Sequence, residues 1–454
     1  MQYPSGPKRT LRVGDAVVIV IGIVVGAGIF KTPSLVAMNA GSETVFLLAW
    51  MAGGAASLIG ALCYAELAST YPDAGGDYHF LNRAFGRSSG FLLGWARMTV
   101  IQTGSIAMLG FLLGDYLTEV HSLGKHSSTI YAAGVVIGLT AANIAGIRQG
   151  SRMQRYFIGA IVLGLLAVVI AGFLIDSGGS TGSFQSWSGQ GAFGSSMIFV
   201  LLTYGGWNEA AYLSGEVKHP ERNMIRVLLY SIGAITLLYL LINLAMLKGL
   251  GLSAMSGSEA VAADLMRKAV GEPGAKFISL LIALTVVSTM NGTIITGART
   301  NYALGRDVPL FSFLGHWQER RGTPANALLL QGGIALILVG LGTLSQSGFV
   351  MMVEYTAPVF WFFLFMAGLS IFRLRARDPE VRRPFSVPLY PLVPLGFCAI
   401  CLFMLASSIL FTGKGALVGI GVLCAGLPVL LMNHRRLFNQ HKKTEKNDEQ
   451  KTTV

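Results

Sequence analysis

Apolar residues in this chain fall in long runs, separated by short polar stretches rich in Pro, Gly and charge. Twelve such runs can be drawn, at roughly 13–38, 44–69, 88–114, 129–147, 155–175, 192–214, 225–248, 275–298, 324–344, 350–372, 389–411 and 416–433. Most match the roughly 20 apolar residues that a helix needs to cross a bilayer. The pattern predicts an all-α polytopic membrane protein with about 12 transmembrane helices over residues 13–433. A short segment, 1–12, precedes them. A polar tail, 434–454, follows and is predicted to be disordered.

Two runs carry glycines where a plain span would not. Residues 22–30 read GIVVGAGIF, with Gly22, Gly26 and Gly28 at mid-span. Residues 200–209 read VLLTYGGWNE, with a glycine pair after Tyr204. A glycine inside a helix costs up to about 1 kcal/mol, so a pair invites unwinding. Irregular backbone at membrane depth is tolerated only inside protein or beside a watery cavity. Gly-interrupted spans in corresponding positions of two halves point to a transporter site. A half-helix expected to begin near Ile29 would aim free N–H groups and a positive dipole end at the break, which suits a carboxylate. A half-helix ending near Tyr204 would offer free carbonyls to an ammonium group or metal ion. Together they suit a zwitterion, and Thr203–Trp207 is expected to form half of the site. The alternative is glycine serving close helix packing, which the Gly22-xxx-Gly26 spacing also fits.

Charge refines the topology. Only 12% of residues are charged, yet the net charge is +12. With the N-terminus placed inside, 26 of the 34 Lys and Arg fall on one face and seven on the other, with Arg97 inside a span. That asymmetry predicts both termini in the cytoplasm and a multi-pass protein of the cytoplasmic membrane. The basic excess is therefore topological and is no nucleic-acid surface. No signal peptide is expected, because the first apolar run is long enough to span. Cys63, Cys398, Cys401 and Cys424 all lie in apolar runs and read as small packing residues, not a disulfide framework.

No catalytic constellation stands out, and none of the seven histidines is mid-span, so no enzyme is expected. Ionisable residues within spans are few: Glu66, Arg97, Glu209 and Glu354, with Asp15 and Asp115 near ends. Such groups are functional suspects, unless they sit at an interface and snorkel. The loop 249–274 is the longest on the outer face and is expected to hold a short helix from Glu259 to Val270, in the manner of a lid. In span eight, Thr285, Ser288 and Thr289 share one helix face by their i, i+3, i+4 spacing. The alternative is that their hydroxyls bond back to their own helix.

Gly22–Phe30, CYAELASTYPDAGGDY from Cys63, YGGWN from Tyr204, EVKHPERN from Glu216, STMNGTIITGAR from Ser288, YALGRD from Tyr302 and RRPFSVPLYPLVPLGF from Arg382 resemble one family. It is the amino acid–polyamine–organocation (APC) superfamily, and within it the bacterial relatives of the L-type amino acid transporters. The resemblance covers nearly the whole chain. It implies a LeuT-type fold, a five-plus-five inverted repeat with two extra spans. It also implies that the span-one break, Val25, Gly26, Ala27, Gly28 and Ile29, binds the α-carboxylate. The span-six break, Leu202, Thr203, Tyr204 and Gly205, would bind the α-amino group.

Two positions depart from the family pattern. The L-type relatives usually carry a Phe lid two residues before the Tyr of YGGW, where this chain has Leu202. Many carry a span-five Lys nine residues after the Arg of an R-x-Q motif. Here Arg152-Met-Gln154 supplies the motif and Ile161 stands at that position. In this fold Na⁺ can take the missing cation's place, and its oxygens would come from Gly22, Val25, Thr285, Ser288 and Thr289. The expected function is secondary transport of amino acids by alternating access, neutral ones above polyamines, since only Glu209 lies near the break. Na⁺ coupling, proton coupling and exchange all stay open. The alternatives are an amino-acid sensor without transport and a carrier of polyamines or cationic amino acids. The expected partners are the amino acid and the lipid bilayer. No cofactor is expected beyond a coupling ion, and no obligatory protein partner or nucleic acid.

Overall fold

A computed structural model describes residues 10–73, 75–146, 151–175, 191–319, 321–410 and 413–432. The expected tail 434–454 and most of the segment 1–12 lie outside the described residues, as do the side chains of Arg152 and Gln154. Among the described residues the chain is helical, with only two isolated bridges of β type. Nine helices among them are long and apolar enough to cross a membrane. Large apolar side chains stand exposed on their outer faces, for example Leu237 at 71%, Ile337 at 65% and Leu417 at 68%. In water such faces would be a liability, whereas lipid covers them at no cost.

The first expected span is two helices, α1 (Val13–Val24) and α2 (Thr32–Ala40), joined by a 3-10 turn at Ala27–Phe30. Next come α3 (Glu43–Thr70), the short amphipathic α4 (Asp77–Phe85), and α5 (Arg87–Ala96). A π-turn at Arg97–Ile101 connects α5 to α6 (Gln102–Val120) within one long span. Then follow α7 (Ser127–Ile144) and α8 (Ser151–Leu174). The sixth expected span is again divided, into α9 (Gly191–Tyr204) and a 3-10 segment, Trp207–Gly215. The remaining helices are α10 (Pro220–Leu250), α11 (Leu252–Ser256), α12 (Val261–Val270), α13 (Glu272–Asp307), α14 (Ala325–Gly342), α15 (Gly348–Arg377), α16 (Leu392–Leu410) and α17 (Lys414–Cys424). The loop helix starts at Val261, two residues later than the sequence suggests.

Packing brings the two divided spans together. The half-helix α2 lies on α9, and α1 lies on α10 and on the Trp207–Gly215 segment. On the basic side the chain just before α1 pairs with the chain after the second break: Leu11 N–H donates to the Glu216 carbonyl at 3.0 Å and Lys218 N–H to the Leu11 carbonyl at 2.9 Å. Span two closes over the junction. A Cβ at Gly53 would meet Val200 at 2.3 Å and the Tyr204 ring at 3.0 Å, so only glycine lets α3 approach α9 this closely.

Candidate functional site

The first break falls at Val25–Gly26. Val25 leaves helical backbone at φ −76°, ψ 77°, and Gly26 is extended at φ −102°, ψ −169°. The chain turns back into helix at Ala27, as a 3-10 turn, and becomes α-helical only at Thr32. The sequence places the start of this half-helix near Ile29. It starts two residues sooner because one extended glycine is enough to end α1. The first N–H groups of such a turn have no partner within it. The second break falls at Gly205–Gly206, where Gly206 takes φ +104°, a left-handed value that favours glycine. A Cβ there would lie 3.2 Å from Ile23 of α1.

Side chains tie the two breaks to each other. The hydroxyls of Thr32 and Thr203 lie 2.6 Å apart. Thr203 donates to the Phe199 carbonyl at 2.8 Å, which leaves Thr32 as donor toward the Thr203 oxygen or the Gly28 carbonyl at 3.0 Å. The Tyr239 hydroxyl sits 2.9 Å from the Val24 carbonyl and 2.9 Å from the Thr203 carbonyl, one oxygen on each break. Tyr239 belongs to an aromatic group with Trp50 and Tyr204, at centroid separations of 5.9 Å and 5.0 Å. The Tyr204 hydroxyl in turn donates to the Trp50 carbonyl at 3.1 Å. Val25, Ile29, Thr203 and Tyr204 are buried; Gly26, Gly28, Leu202 and Gly205 are half-buried; the Ala27 side chain lies outside the described residues. Around Gly26 the space is open: the nearest atom to where a Cβ would sit is the Val24 carbonyl oxygen, 4.0 Å away.

Beyond the first break, the next two residues are held hard. The Tyr116 hydroxyl donates to the Phe30 carbonyl at 2.6 Å. Lys31 is buried, pairs with Asp115 at 2.9 Å and donates to the Glu259 carbonyl of the long loop at 2.6 Å. Lys31 forms part of the wall of a cavity of about 1040 Å³ opening away from the basic side, with Ser34, Phe111, Ser195, Phe199 and Glu354. None of Val25–Ile29 or Leu202–Gly205 lines this cavity. It stops at Phe199, one helical turn from Thr203.

On the basic side of the second break, Arg97 heads the π-turn. It faces Glu209 at 3.5 Å and donates to the Tyr212 hydroxyl at 2.7 Å. The Asn208 amide donates to Asp77 at 3.3 Å. Another suspect charge, Glu66, is buried and accepts two bonds from Arg375, at 2.8 Å and 2.6 Å, and one from the Val387 N–H at 2.7 Å. That pair joins α3 to α15 and reads as structural.

Two of the span-eight hydroxyls bond back to their own helix. Thr285 donates its hydroxyl to the Leu281 carbonyl at 3.1 Å, and Thr289 donates to the Thr285 carbonyl at 3.2 Å. Gly22 stands on an exposed turn of α1, while Val25 is buried and Ser288 half-buried. Donating its hydrogen leaves each hydroxyl oxygen its lone pairs, so the back-bonding does not remove Thr285 or Thr289 from a set with Gly22, Val25 and Ser288. Ile161 is half-buried and packs against the core. Among the described residues no group of three or more His, Cys, Asp or Glu could hold a metal ion. The four cysteines are free; Cys63, Cys398 and Cys401 are buried and Cys424 is exposed.

Residues 11–432 match the family model described as amino acid permease. Among curated proteins, the serine/threonine exchanger SteT of Bacillus subtilis (strain 168) is 28% identical over 432 residues, covering 94% of this chain and 97% of that protein. The b(0,+)-type amino acid transporter 1 of Mus musculus is 28% identical over 405 residues, 87% of this chain and 82% of that one. The large neutral amino acids transporter small subunit 2 of Mus musculus is 28% identical over 450 residues, 96% and 82%.

Proposed function

The chain belongs to the amino acid permease family, and on that premise we propose that it carries neutral amino acids across the cytoplasmic membrane by alternating access. In this reading it has twelve spans in a LeuT-type arrangement, two inverted five-span repeats and two further spans, with both termini in the cytoplasm. The observation that carries it is the pair of opposed helix breaks, at Val25–Gly26 and Gly205–Gly206, held together by Thr32, Thr203 and Tyr239.

The substrate carboxylate docks on the N–H groups that open the turn at Ala27–Ile29, where the helix dipole also favours an anion. The ammonium meets the carbonyls at the end of α9. Of these, the Thr203 carbonyl already accepts from Tyr239 and the Leu202 carbonyl from the Gly205 N–H at 3.0 Å. The Tyr204 carbonyl and the second lone pairs of Leu202 and Thr203 then take the ammonium. Leu202 faces the substrate side chain. Among the described residues two carboxylates lie close to the second break, both on its basic side: Glu209 faces Arg97 and Asp77 accepts from Asn208. With neither at the break itself, the site suits neutral side chains over polycations.

For coupling we favour exchange, because the similar SteT protein is named an exchanger. The back-bonding of Thr285 and Thr289 leaves their lone pairs available and does not itself weigh against sodium. The test is uptake of labelled neutral amino acids into proteoliposomes, first with Na⁺ replaced by choline, then with an imposed pH gradient. Uptake that persists without Na⁺ supports this reading. Uptake abolished by choline replacement restores sodium at Gly22, Val25, Thr285, Ser288 and Thr289. No uptake or exchange of any amino acid overturns the transporter reading in favour of a sensor.

A further inference from the structure

Two carboxylates and one guanidinium are gathered on the basic side of the second break. Asp77 opens α4, Arg97 heads the π-turn and Glu209 lies in the Trp207–Gly215 segment. Arg97 turns toward Glu209 and Tyr212. Asp77 is left without a direct cation although its residue is only 8% exposed. Its Oδ2 accepts from Asn208 at 3.3 Å, and its Oδ1 is buried and makes no well-formed hydrogen bond, with the Tyr64 hydroxyl facing the carboxylate. A buried carboxylate so weakly supported is costly as an anion and is relieved by a proton.

The same acid is mechanically placed. Gly76, just before it, takes φ +47°, and a Cβ there would strike the Tyr212 ring at 2.6 Å. So α4 is pressed against the segment that continues the second break. Arg97 stands on a π-turn, a device often found at functional sites. Resting on the permease reading above, which makes this side cytoplasmic, we propose that Asp77 is a proton-binding site that holds the cytoplasmic side of the carrier shut. Its ligand is H⁺, bound between α4, the π-turn and the segment after the break.

The titratable and charged groups that face Asp77 are Tyr64 of α3, Arg97, and Glu209 and Tyr212 beyond the break. Burial pushes the Asp77 carboxyl up to about 6, and the neighbouring Glu209 charge adds to the rise against the opposing pull of Arg97 and the Tyr64 and Asn208 contacts. When the segments part, Asp77 regains water and returns toward the ordinary carboxylate range. The closed form therefore holds the proton more firmly. By linkage, acid favours closure as pH falls through about 6, and the effect is absent well above it. Between pH of about 7.5 and about 5.5, the closed-to-open ratio rises roughly four-fold for such a group.

The experiment is counterflow of a labelled neutral amino acid in proteoliposomes at equal internal and external pH, with pH-difference infrared spectra of the same protein. Wild-type counterflow should slow roughly four-fold from pH of about 7.5 to about 5.5. Asp77→Asn should be slow and flat with pH, as a permanently neutral mimic, and Asp77→Glu should restore a pH dependence. A protonated-carboxyl band with a midpoint near 6 should be present in wild type and lost in Asp77→Asn. An unchanged pH profile in Asp77→Asn, or wild-type spectra with no such band, overturns the proposal. The spectra need no transport. A wild-type protein that shows the band but no counterflow sinks the permease reading and leaves the proton site standing.

Discussion

The side-chain hydroxyls of Thr32 and Thr203 lie 2.6 Å apart although 171 residues separate them in sequence. Thr32 opens the α2 half of the first span and Thr203 is the next-to-last residue of α9. One hydrogen bond therefore crosses between the two helix breaks. Tyr239 makes the same link by its hydroxyl, from a third helix. These bonds set the spacing between the groups proposed to meet the two ends of a zwitterion.

Removing the crosslink should loosen the site without emptying it. Thr203→Val keeps the shape and deletes the hydroxyl. A bond of this kind contributes about 0.5–1.5 kcal/mol, so affinity should fall by roughly two- to twelve-fold. Thr203→Ser should recover most of it. Titration calorimetry on the purified protein checks this, and equal affinity in wild type and Thr203→Val contradicts the assignment.

An anion-binding turn at Ala27–Ile29 should discriminate by charge. Methyl esters of a transported amino acid lose a charge-assisted contact worth about 1.5–3 kcal/mol. The ester should therefore compete at least ten-fold more weakly than the free acid. Equal competition would remove the carboxylate from this turn.

Leu202 and Phe199 should divide the selectivity and access roles that one aromatic performs in the L-type relatives. Phe199 ends the outer cavity and its carbonyl accepts from Thr203. Leu202→Phe should shift selectivity toward smaller side chains. Phe199→Ala should speed substrate entry from the outer cavity while leaving the order of preferred side chains unchanged. Competition profiles for the two variants separate these outcomes; a flat profile for Leu202→Phe would mean that Leu202 does not face the substrate.

The two glycines at the breaks should fail for different reasons. A Cβ at Gly205 would lie 2.9 Å from the Leu202 carbonyl, so Gly205→Val should lower the unfolding temperature in detergent. Gly26 has open space around it and should tolerate a side chain without that loss. Thermal unfolding of both variants beside wild type checks the contrast.

How much of this is legible in the sequence depends on the residue. Both breaks are, because mid-span glycines recur in corresponding positions of the two halves; a glycine pair alone would not suffice, since Gly53 and Gly54 lie inside the unbroken α3. The first half-helix begins at Ala27, two residues before the expected Ile29, since Gly26 ends α1 by a single extended residue, whereas α9 ends at Tyr204 as its sequence suggests and Gly206 takes the left-handed backbone. Tyr239 is not legible: a tyrosine in an apolar run reads as core, and only the fold aims its hydroxyl at two carbonyls. Thr32 is hidden for the same reason, its partner lying in the other half of the chain. Arg97 and Glu209 are conspicuous as charges, but their pairing needs the π-turn. Asp77 reads as part of a polar loop, because nothing local signals that α4 is pressed beneath the second break. For Thr285 and Thr289 the structure shows the back-bonding that their sequence context also allows, with the hydroxyl lone pairs left over for an ion.

The central claim is that amino acids pass between the two helix breaks. The most direct measurement is counterflow: proteoliposomes preloaded with an unlabelled neutral amino acid, presented with the labelled one, for wild type and Gly26→Val reconstituted side by side. The account predicts label accumulation by wild type and none by a Gly26→Val protein that is folded, inserted and as heat-stable as wild type. Accumulation by Gly26→Val at the wild-type rate would contradict it.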